Sequence, residues 1–414
     1  VRAGTSRRGF LTGAAAALAA GGLGSVLSGC GVREVKAKLL FQARPPTPTN
    51  PVLWPVRLDN MPIAGGQKAE PDATLRVLCW PGRVGQRCLA DFQRRFKCRI
   101  ELHGFGNMSE ALTLVARRDA PFDVFLGGTL EVLSILINGK LVQPLNHDYL
   151  PNIGQVWDQY TNPFYDQHWQ YTVPYTIYTT GIGWRKDLIE ANPFAMINGW
   201  NVLWDATYAG KVSLLDDYRE GISLGLLQTG TTNLNTPDPR LIDLAGSALS
   251  ELVHLVRPAL SNTAFLDLGT GKVAIAQCWS GQVAAAAKYL PPGTPDDVLG
   301  YWFPPNGSGP VANDTMTIPR RARNPVLAHQ FLNFMLNRPN AVNNVRDTGF
   351  MQPLTWMTPE RMVRKGVIPS ALITTTVLEN YFYRGLKELQ LQLGAQALWH
   401  QEWHSVVQKL NLAV

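Results

Sequence analysis

Between residues 75 and 139, short apolar runs alternate with stretches of helical periodicity, and this alternation restricts the possible folds more than any other feature. Leu75 to Trp80 is a compact apolar run that stops at Pro81-Gly82, the signature of a strand closed by a turn. A helix is expected from Gln86 to Phe96, a strand from Arg99 to His103, a helix from Glu110 to Arg118, and a third strand from Asp123 to Leu126 that ends at Gly127-Gly128. Thr129 opens an apolar helix that stops near Gly139-Lys140. Strands separated by helices form βαβ units and an α/β sheet. Ligands of such sheets bind beyond the carboxyl ends of the strands, so the turns at Trp80 to Arg83 and Gly127 to Thr129 are expected to line a site.

The pattern continues through the chain. Tyr171-Thr172-Val173-Pro174-Tyr175 and Thr180-Gly181-Ile182-Gly183-Trp184 bracket an extended segment that reads as a crossover between lobes. A second series follows: a strand at Lys211 to Leu215, a helix at Glu220, a long helix around Leu241 to Leu255, and Val273 to Trp279. Asp314 to Pro319 reads as a return strand, Pro325 to Asn337 as an amphipathic helix, and Leu386 to Leu410 as helical by period. The 414 residues, 45% hydrophobic and 17% charged, suffice for two or three globular cores. The formal charge of +7 gives no ground for a nucleic-acid partner, because no dense Lys/Arg run is interleaved with aromatics; Arg94 to Lys97 and Arg320 to Arg323 read as solvated faces.

The amino terminus reads as an address rather than a domain. Arg7-Arg8-Gly9-Phe10-Leu11 precedes an Ala/Gly/Leu run ending at Leu27-Ser28-Gly29-Cys30, the layout of an export peptide, and the paired arginines point to the twin-arginine route. Residues 1–29 are thus expected to be a signal peptide, with Leu-Ser-Gly-Cys similar to a bacterial lipobox and Cys30 the lipidated residue. Residues 30–71, with Pro45, Pro46, Pro48, Pro51 and Pro55, are expected to form an extended tether. Exported chains can keep disulfides, so pairing among Cys79, Cys88 and Cys98 is open, with Cys278 the remaining thiol; spacing alone assigns none. There is no CxxC and no matching histidine spacing for a metal.

Val212-Ser213-Leu214-Leu215-Asp216-Asp217-Tyr218-Arg219-Glu220 carries the most chemistry. An apolar run stops there at three acids around one base. Asp217 and Glu220, three apart in the first turn of a helix, lie on one side of it and suit a cation. The same residues also make a capping box, which needs no ligand. Trp80 and Trp279 are open in the same way, as core residues or as walls of a site.

Together with Trp204-Asp205-Ala206-Thr207-Tyr208-Ala209-Gly210-Lys211-Val212, with Val273-Ala274-Ile275-Ala276-Gln277-Cys278-Trp279-Ser280-Gly281 and with Asp314 to Pro319, this stretch resembles the spermidine/putrescine-binding proteins of bacterial ABC importers. The match runs in order from about residue 74 to 404. The resemblance implies an α/β, two-lobed type II periplasmic binding protein fold, each lobe a mixed sheet flanked by helices, with a ligand cleft between them. It implies lobes of 72–179 plus 315–358 and of 180–314 plus 359–414. By position it carries over the acids Asp217, Glu220 and Asp314, the tryptophans Trp80 and Trp279, Phe350 in place of a tyrosine, and Gln390. The expected function is a polyamine-binding, exported lipoprotein, a monomer without cofactor or catalysis, that serves a membrane permease with its cytoplasmic ATPase. Carboxylates would hold the ammonium groups and rings would line the methylenes, since a cation over a ring face gains about 0.5 to 2 kcal/mol.

Departures from the family pattern stand out. Arg83 replaces a tyrosine near the first strand end, Gly128 and Leu130 replace Ser and Tyr after the third strand, and a cleft tryptophan is replaced at about Ala312. Arg83 would repel a polycation unless it turns outward, pairs with an acid, or meets an acid group on the ligand. A zwitterionic amine or guanidino ligand is therefore an alternative, and a cell-surface enzyme or sensor on the same lobes is another. His400 and His404 read as a helix face rather than a chelate, Gly269 to Val273 as a turn before a strand, and no G-x-S-x-G elbow is present.

Overall fold

The computed structural model describes residues 45–412, apart from 118 and 120. The export signal, the lipobox and Cys30 lie outside the described residues. The first half of the body runs β1 (Thr74–Cys79), α1 (Gln86–Phe96), β2 (Arg99–Gly104), α2 (Met108–Ala116), β3 (Val124–Gly128) and α3 (Leu133–Asn138). Leu75, Val77 and Leu78 of β1 are fully buried, whereas β2 carries the exposed side chains of Arg99, Glu101 and His103. That contrast fits a central strand beside a charged, protected edge. The long β4 (Val173–Arg185) follows, then β5 (Val212–Leu214), α4 (Tyr218–Gln228), α5 (Pro239–Val256), β6 (Ala259–Leu260), α6 (Ala264–Thr270), β7 (Ile275–Trp279), α7 (Ser280–Ala286), β8 (Leu299–Trp302) and β9 (Val311–Thr317). The described residues continue with the α-helices α8 (Pro325–Leu336), α9 (Arg338–Thr348), α10 (Pro359–Arg364), α11 (Glu379–Arg384) and α12 (Leu393–Leu412).

The strand order is β2-β1-β3-β9-β4-β7-β5-β6, with β8 also on β4. On one side β1 pairs in parallel with β2 and β3; on the other β5 pairs in parallel with β6 and β7. Between them run β4 and β9, antiparallel to each other. Val173 to Thr179 of β4 pair with β9, and Thr180 to Arg185 pair with β7 and β8. The bracketed crossover is therefore one continuous, fully buried strand. One apolar core gathers around β1, β3, α1 and α8, and a second around β5, α4, α5 and α12, where Trp399 is fully buried.

Two differences from the sequence reading have simple causes. Helix α12 begins at Leu393 rather than Leu386, because 386–392 spends its polar side chains on other segments: Ser223 donates to Glu388 and Ser134 to Gln390. Residues 45–71 are not a free spacer. They lack helix and strand, but Val52 is bonded to Phe164 and Gln167, the Trp54 indole donates to the Tyr165 carbonyl at 2.8 Å, and Asn60 donates to Val142. Glu70 accepts from the amides of Val326 and Leu327, at the amino end of α8. Prolines removed the regular hydrogen bonding, and one buried indole plus scattered polar contacts still fix the path. Cys79, Cys88, Cys98 and Cys278 are all buried free thiols; burial pushes Cys79 and Cys88 up to about 12, which makes them poor nucleophiles.

The strap makes a measurable contribution. Trp54→Ala, at a residue 3% exposed, should lower unfolding stability by about 3 kcal/mol in urea melts; a loss below about 0.5 kcal/mol would mean that residues 45–71 float free.

Candidate ligand-binding cleft

The carboxyl ends of β1, β3, β5 and β7 converge with the middle of β4 and β9, and the chemistry-bearing side chains stand there. The turn after β1 sets the first of them. Pro81 and Gly82 occupy its two central positions, Gly82 has φ +74°, and the Arg83 amide donates to the Trp80 carbonyl at 3.3 Å. Proline then glycine suits such a turn, because the second central residue must take positive φ. Trp80 leaves it buried, its indole donating to the Gly127 carbonyl at 3.3 Å. Gly127 has φ +102°, and a Cβ there would come within 2.5 Å of the Trp80 ring. No other residue type meets both conditions.

Arg83 turns inward and is 1% exposed. Its guanidinium carbon stands 3.6 Å from the centre of the Phe350 ring, 4.7 Å from Tyr178 and 4.8 Å from Trp279. Its Nη1 lies 3.3 Å from Asp314 Oδ2, on β9. Asp314 also accepts from the Thr176 hydroxyl at 2.7 Å and the Tyr178 hydroxyl at 3.3 Å. Of the three fates considered for Arg83, the structure takes the inward one paired with an acid. Its Nη1 and Nη2 nevertheless lack a well-aligned hydrogen-bond acceptor. The guanidinium borders a recess of about 70 Å³, shared with Gly82, Phe265, Trp279, Gln282 and Phe350.

Trp279 joins this box to a second cluster. Its ring is 5.9 Å from Trp80 and 5.7 Å from Tyr178, and its Nε1 donates to Glu220 Oε1 at 2.5 Å. Thr180 donates to the same oxygen at 3.0 Å, while Glu220 Oε2 has no partner. Asp217 caps α4, accepting from the amides of Arg219 at 2.8 Å and Glu220 at 3.3 Å. The capping reading is therefore correct for Asp217, and Glu220 spends its side chain on Trp279 and Thr180 instead of closing a box. Glu131 and Glu388 complete the cluster: Tyr218 donates to Glu131 and Ser223 to Glu388.

None of these four carboxyls forms an ion pair among the described residues. Arg219 is near, yet it stacks 4.6 Å from Trp399 and donates to Leu234 and Asn235. Burial and the neighbouring acids Glu131 and Glu388 push Asp217 up to about 7. Burial, then Glu388, drives Glu220 well above the carboxylate range, and burial raises Glu131. Gln390 stands at the far end, bordering a small recess with Glu131, Met108, Ser109 and Gln396; its Oε1 accepts from Ser134 and its Nε2 is unpartnered.

The structure thus brings Trp279, Phe350 and Asp314 around Arg83 with Trp80 behind Trp279, sets Asp217 and Glu220 beside them across one indole, and leaves Gln390 with the acid Glu131. Tyr178, Glu131 and Glu388 were missed. Tyr178 shares a strand face with Thr176, a period-two signal in Tyr175-Thr176-Ile177-Tyr178; Glu388 was hidden by the helical reading of its segment. His400 stacks on Tyr218 at 3.8 Å, and burial pushes it down to about 4. Gly271, at φ +76°, ends α6 before β7, the turn expected from sequence.

Comparison with known proteins fits this arrangement. A spermidine/putrescine ABC transporter protein from Listeria monocytogenes superposes with a TM-score of 0.66 at 22% identity, covering 81% of this chain and 98% of that one. A lipoprotein of Treponema pallidum gives 0.65 at 17% identity, covering 80% and 99%. The Escherichia coli spermidine/putrescine-binding periplasmic protein is 25% identical over 337 residues, 81% of this chain and 92% of that protein. The fold is the two-lobed type II periplasmic binding fold, and β4 and β9 run antiparallel between the two halves of its sheet. The family model of the bacterial extracellular solute-binding proteins matches residues 88–361, and the chain belongs to that family.

The raised acids give a pH signature. Folded Asp217 keeps a proton that the unfolded chain releases near 3.8, so stability of the ligand-free protein should fall as pH rises from about 4 to about 7, on the order of 1 kcal/mol per pH unit. Asp217→Asn retains an effective cap and should flatten that slope in denaturant melts; an unchanged slope would show that Asp217 titrates normally.

Proposed function

We propose that this chain is the solute-binding component of an ABC importer that captures polyamines of the spermidine/putrescine type. It delivers them to a membrane permease driven by a cytoplasmic ATPase. The observation that carries the reading is the cluster of Asp217, Glu220, Glu131 and Glu388, with no ion-paired base, set against the indole of Trp279. A buried carboxyl with no cation is driven to hold its proton, and an incoming ammonium group restores the charged form. The names of the relatives at Escherichia coli and Listeria monocytogenes point to the same cargo. The ligand contacts proposed are Trp80, Asp217, Glu220, Trp279, Asp314, Phe350 and Gln390, with Glu131 and Tyr178 added.

Closure about β4 and β9 couples capture to a shape that the permease recognises, as a hinge-type population shift. The lobes proposed are 72–179 with 315–358 and 180–314 with 359–414. The protein acts without catalysis, as a monomer, on the outer face of the cytoplasmic membrane, held by lipid on Cys30 after export. The named lipoprotein of Treponema pallidum supports that anchoring. Among the described residues no helix is long and apolar enough to cross a membrane.

One observation favours a second reading. The Arg83 Nη1 and Nη2 donors lack acceptors, and a zwitterionic amine or guanidino compound could supply one through its acid group.

A thermal-shift panel of putrescine, spermidine, 4-aminobutyrate and anionic controls tests both readings. A polyamine at a hundredfold its Kd should stabilise the protein by about 2.7 kcal/mol. Stabilisation by anions alone would end the amine reading. Glu220→Gln keeps the hydrogen bond from Trp279 and removes the charge, so it should weaken putrescine binding at least about tenfold, measured by titration calorimetry; unchanged affinity would remove Glu220 from the site.

A further inference from the structure

Arg83 raises a question that the amine reading leaves open: what is a buried guanidinium doing in a cleft meant for cations? Its surroundings answer in geometric terms. Three ring faces, Phe350, Tyr178 and Trp279, stand 3.6, 4.7 and 4.8 Å from the guanidinium carbon, and a carboxylate oxygen of Asp314 lies 3.3 Å from Nη1. An aromatic enclosure with one acid is the arrangement that recognises an organic cation. Here the chain fills that seat with its own side chain.

The seat is built from parts that hold Arg83 at a fixed reach. The Tyr175 hydroxyl donates to the Arg83 carbonyl at 2.6 Å, and Asn344 holds both that hydroxyl, at 3.0 Å, and the Gly85 amide, at 2.8 Å. Gly281 leaves room for the ring of Phe350, since a Cβ there would come within 2.5 Å of it. A side chain tethered in this way competes with free solute at an effective concentration on the order of millimolar or above. A solute at micromolar concentration would need an affinity for the seat roughly a thousandfold tighter than the guanidinium's to displace it. On the other side of Trp279, the four carboxyls lack any ion-paired base among the described residues, and Glu220 Oε2 has no hydrogen-bond partner. The cleft therefore has one cation seat occupied from within and one left for solute.

We infer that Arg83 is a resident occupant of one of two cation seats, and that it restricts the cleft to diamines seated at Asp217, Glu220, Glu131 and Glu388, excluding the third ammonium of a triamine. This rests on the amine reading above but withdraws Asp314, Phe350 and Tyr178 from its ligand contacts, since they enclose Arg83 instead, and it names Arg83 as the residue that sets ligand length. A triamine long enough to pass Trp279 would place an ammonium against the guanidinium, like charge on like charge at short range.

The test is titration calorimetry of putrescine and spermidine on the whole protein, its Arg83→Ala variant and its Arg83→Lys variant. Wild type should prefer putrescine. Arg83→Ala should gain at least about tenfold for spermidine with putrescine changed less than about threefold, while Arg83→Lys keeps the wild-type preference. An unchanged spermidine-to-putrescine ratio in Arg83→Ala overturns the inference and leaves the amine reading standing. Loss of 4-aminobutyrate binding in Arg83→Ala, where wild type binds it, also overturns it, because the guanidinium is then a ligand donor. If no variant and not the wild type binds any amine, both readings fail together. Because Arg83→Ala leaves Asp314 buried without its partner, a crystal structure of wild type soaked with spermidine supplies a second measurement. A ligand nitrogen inside the Tyr178, Trp279 and Phe350 box, with Arg83 displaced, overturns the inference; a box still filled by Arg83 supports it.

Discussion

The buried pair of Arg83 and Asp314 organises the cleft. Asp314 lies on β9, one of the two strands shared between the halves of the sheet, and Arg83 follows β1 in the outer part of one half. Removing a charge from water costs several kcal/mol, so such a pair persists only where other groups complete its environment. Thr176 and Tyr178 supply hydroxyls to the carboxylate, and three rings cover the guanidinium. Those rings come from β4, from the end of β7 and from the loop after α9, so with the turn after β1 and β9 itself the ion pair brings five segments into register.

Beyond Trp279 the electrostatics reverse. Glu220 and Asp217 sit close to Glu131 and Glu388; burial first, then Glu131 and Glu388, raises Asp217, and burial first, then Glu388, raises Glu220. The indole separates the two regions and also bonds to one of them, through Nε1 to Glu220. A ring that presents its face to a cation and its edge to a carboxylate uses both parts of its charge distribution. The cleft is thus polarised along its length, compensated at one end and in deficit at the other.

Much of the fold was legible because period and punctuation agree. Gln86 to Phe96 has one amphipathic face, and Pro81-Gly82 marks the preceding turn; the helix falls where the pattern puts it. Asp217 was legible as a cap for the same reason, since capping depends on neighbours in sequence. The long-range partners were not. Glu388 lies in a segment whose side chains face other elements, and nothing in Leu386 to Gln392 says that Ser223 and Ser134 will hold it out of a helix. Arg83 shows the limit from the other direction. Its oddity was visible against the family pattern, but its direction depends on Gly82, Tyr175 and Asn344, which lie far apart in the chain. The stretch 45–71 reads as a spacer by composition, and a single Trp54 indole among its prolines was too small a signal to show that it lies down.

That strap has a mechanical consequence. Its bonds run to Val142, Asn146, Tyr149, Phe164, Tyr165, Tyr171 and the amino end of α8, all on the side of the sheet that carries β1 to β3. None of these bonds reaches the half built on β5 and β7, so a pull on residue 45 would bear on one half as on a mounted stator, and the other would feel it through the strands that join them.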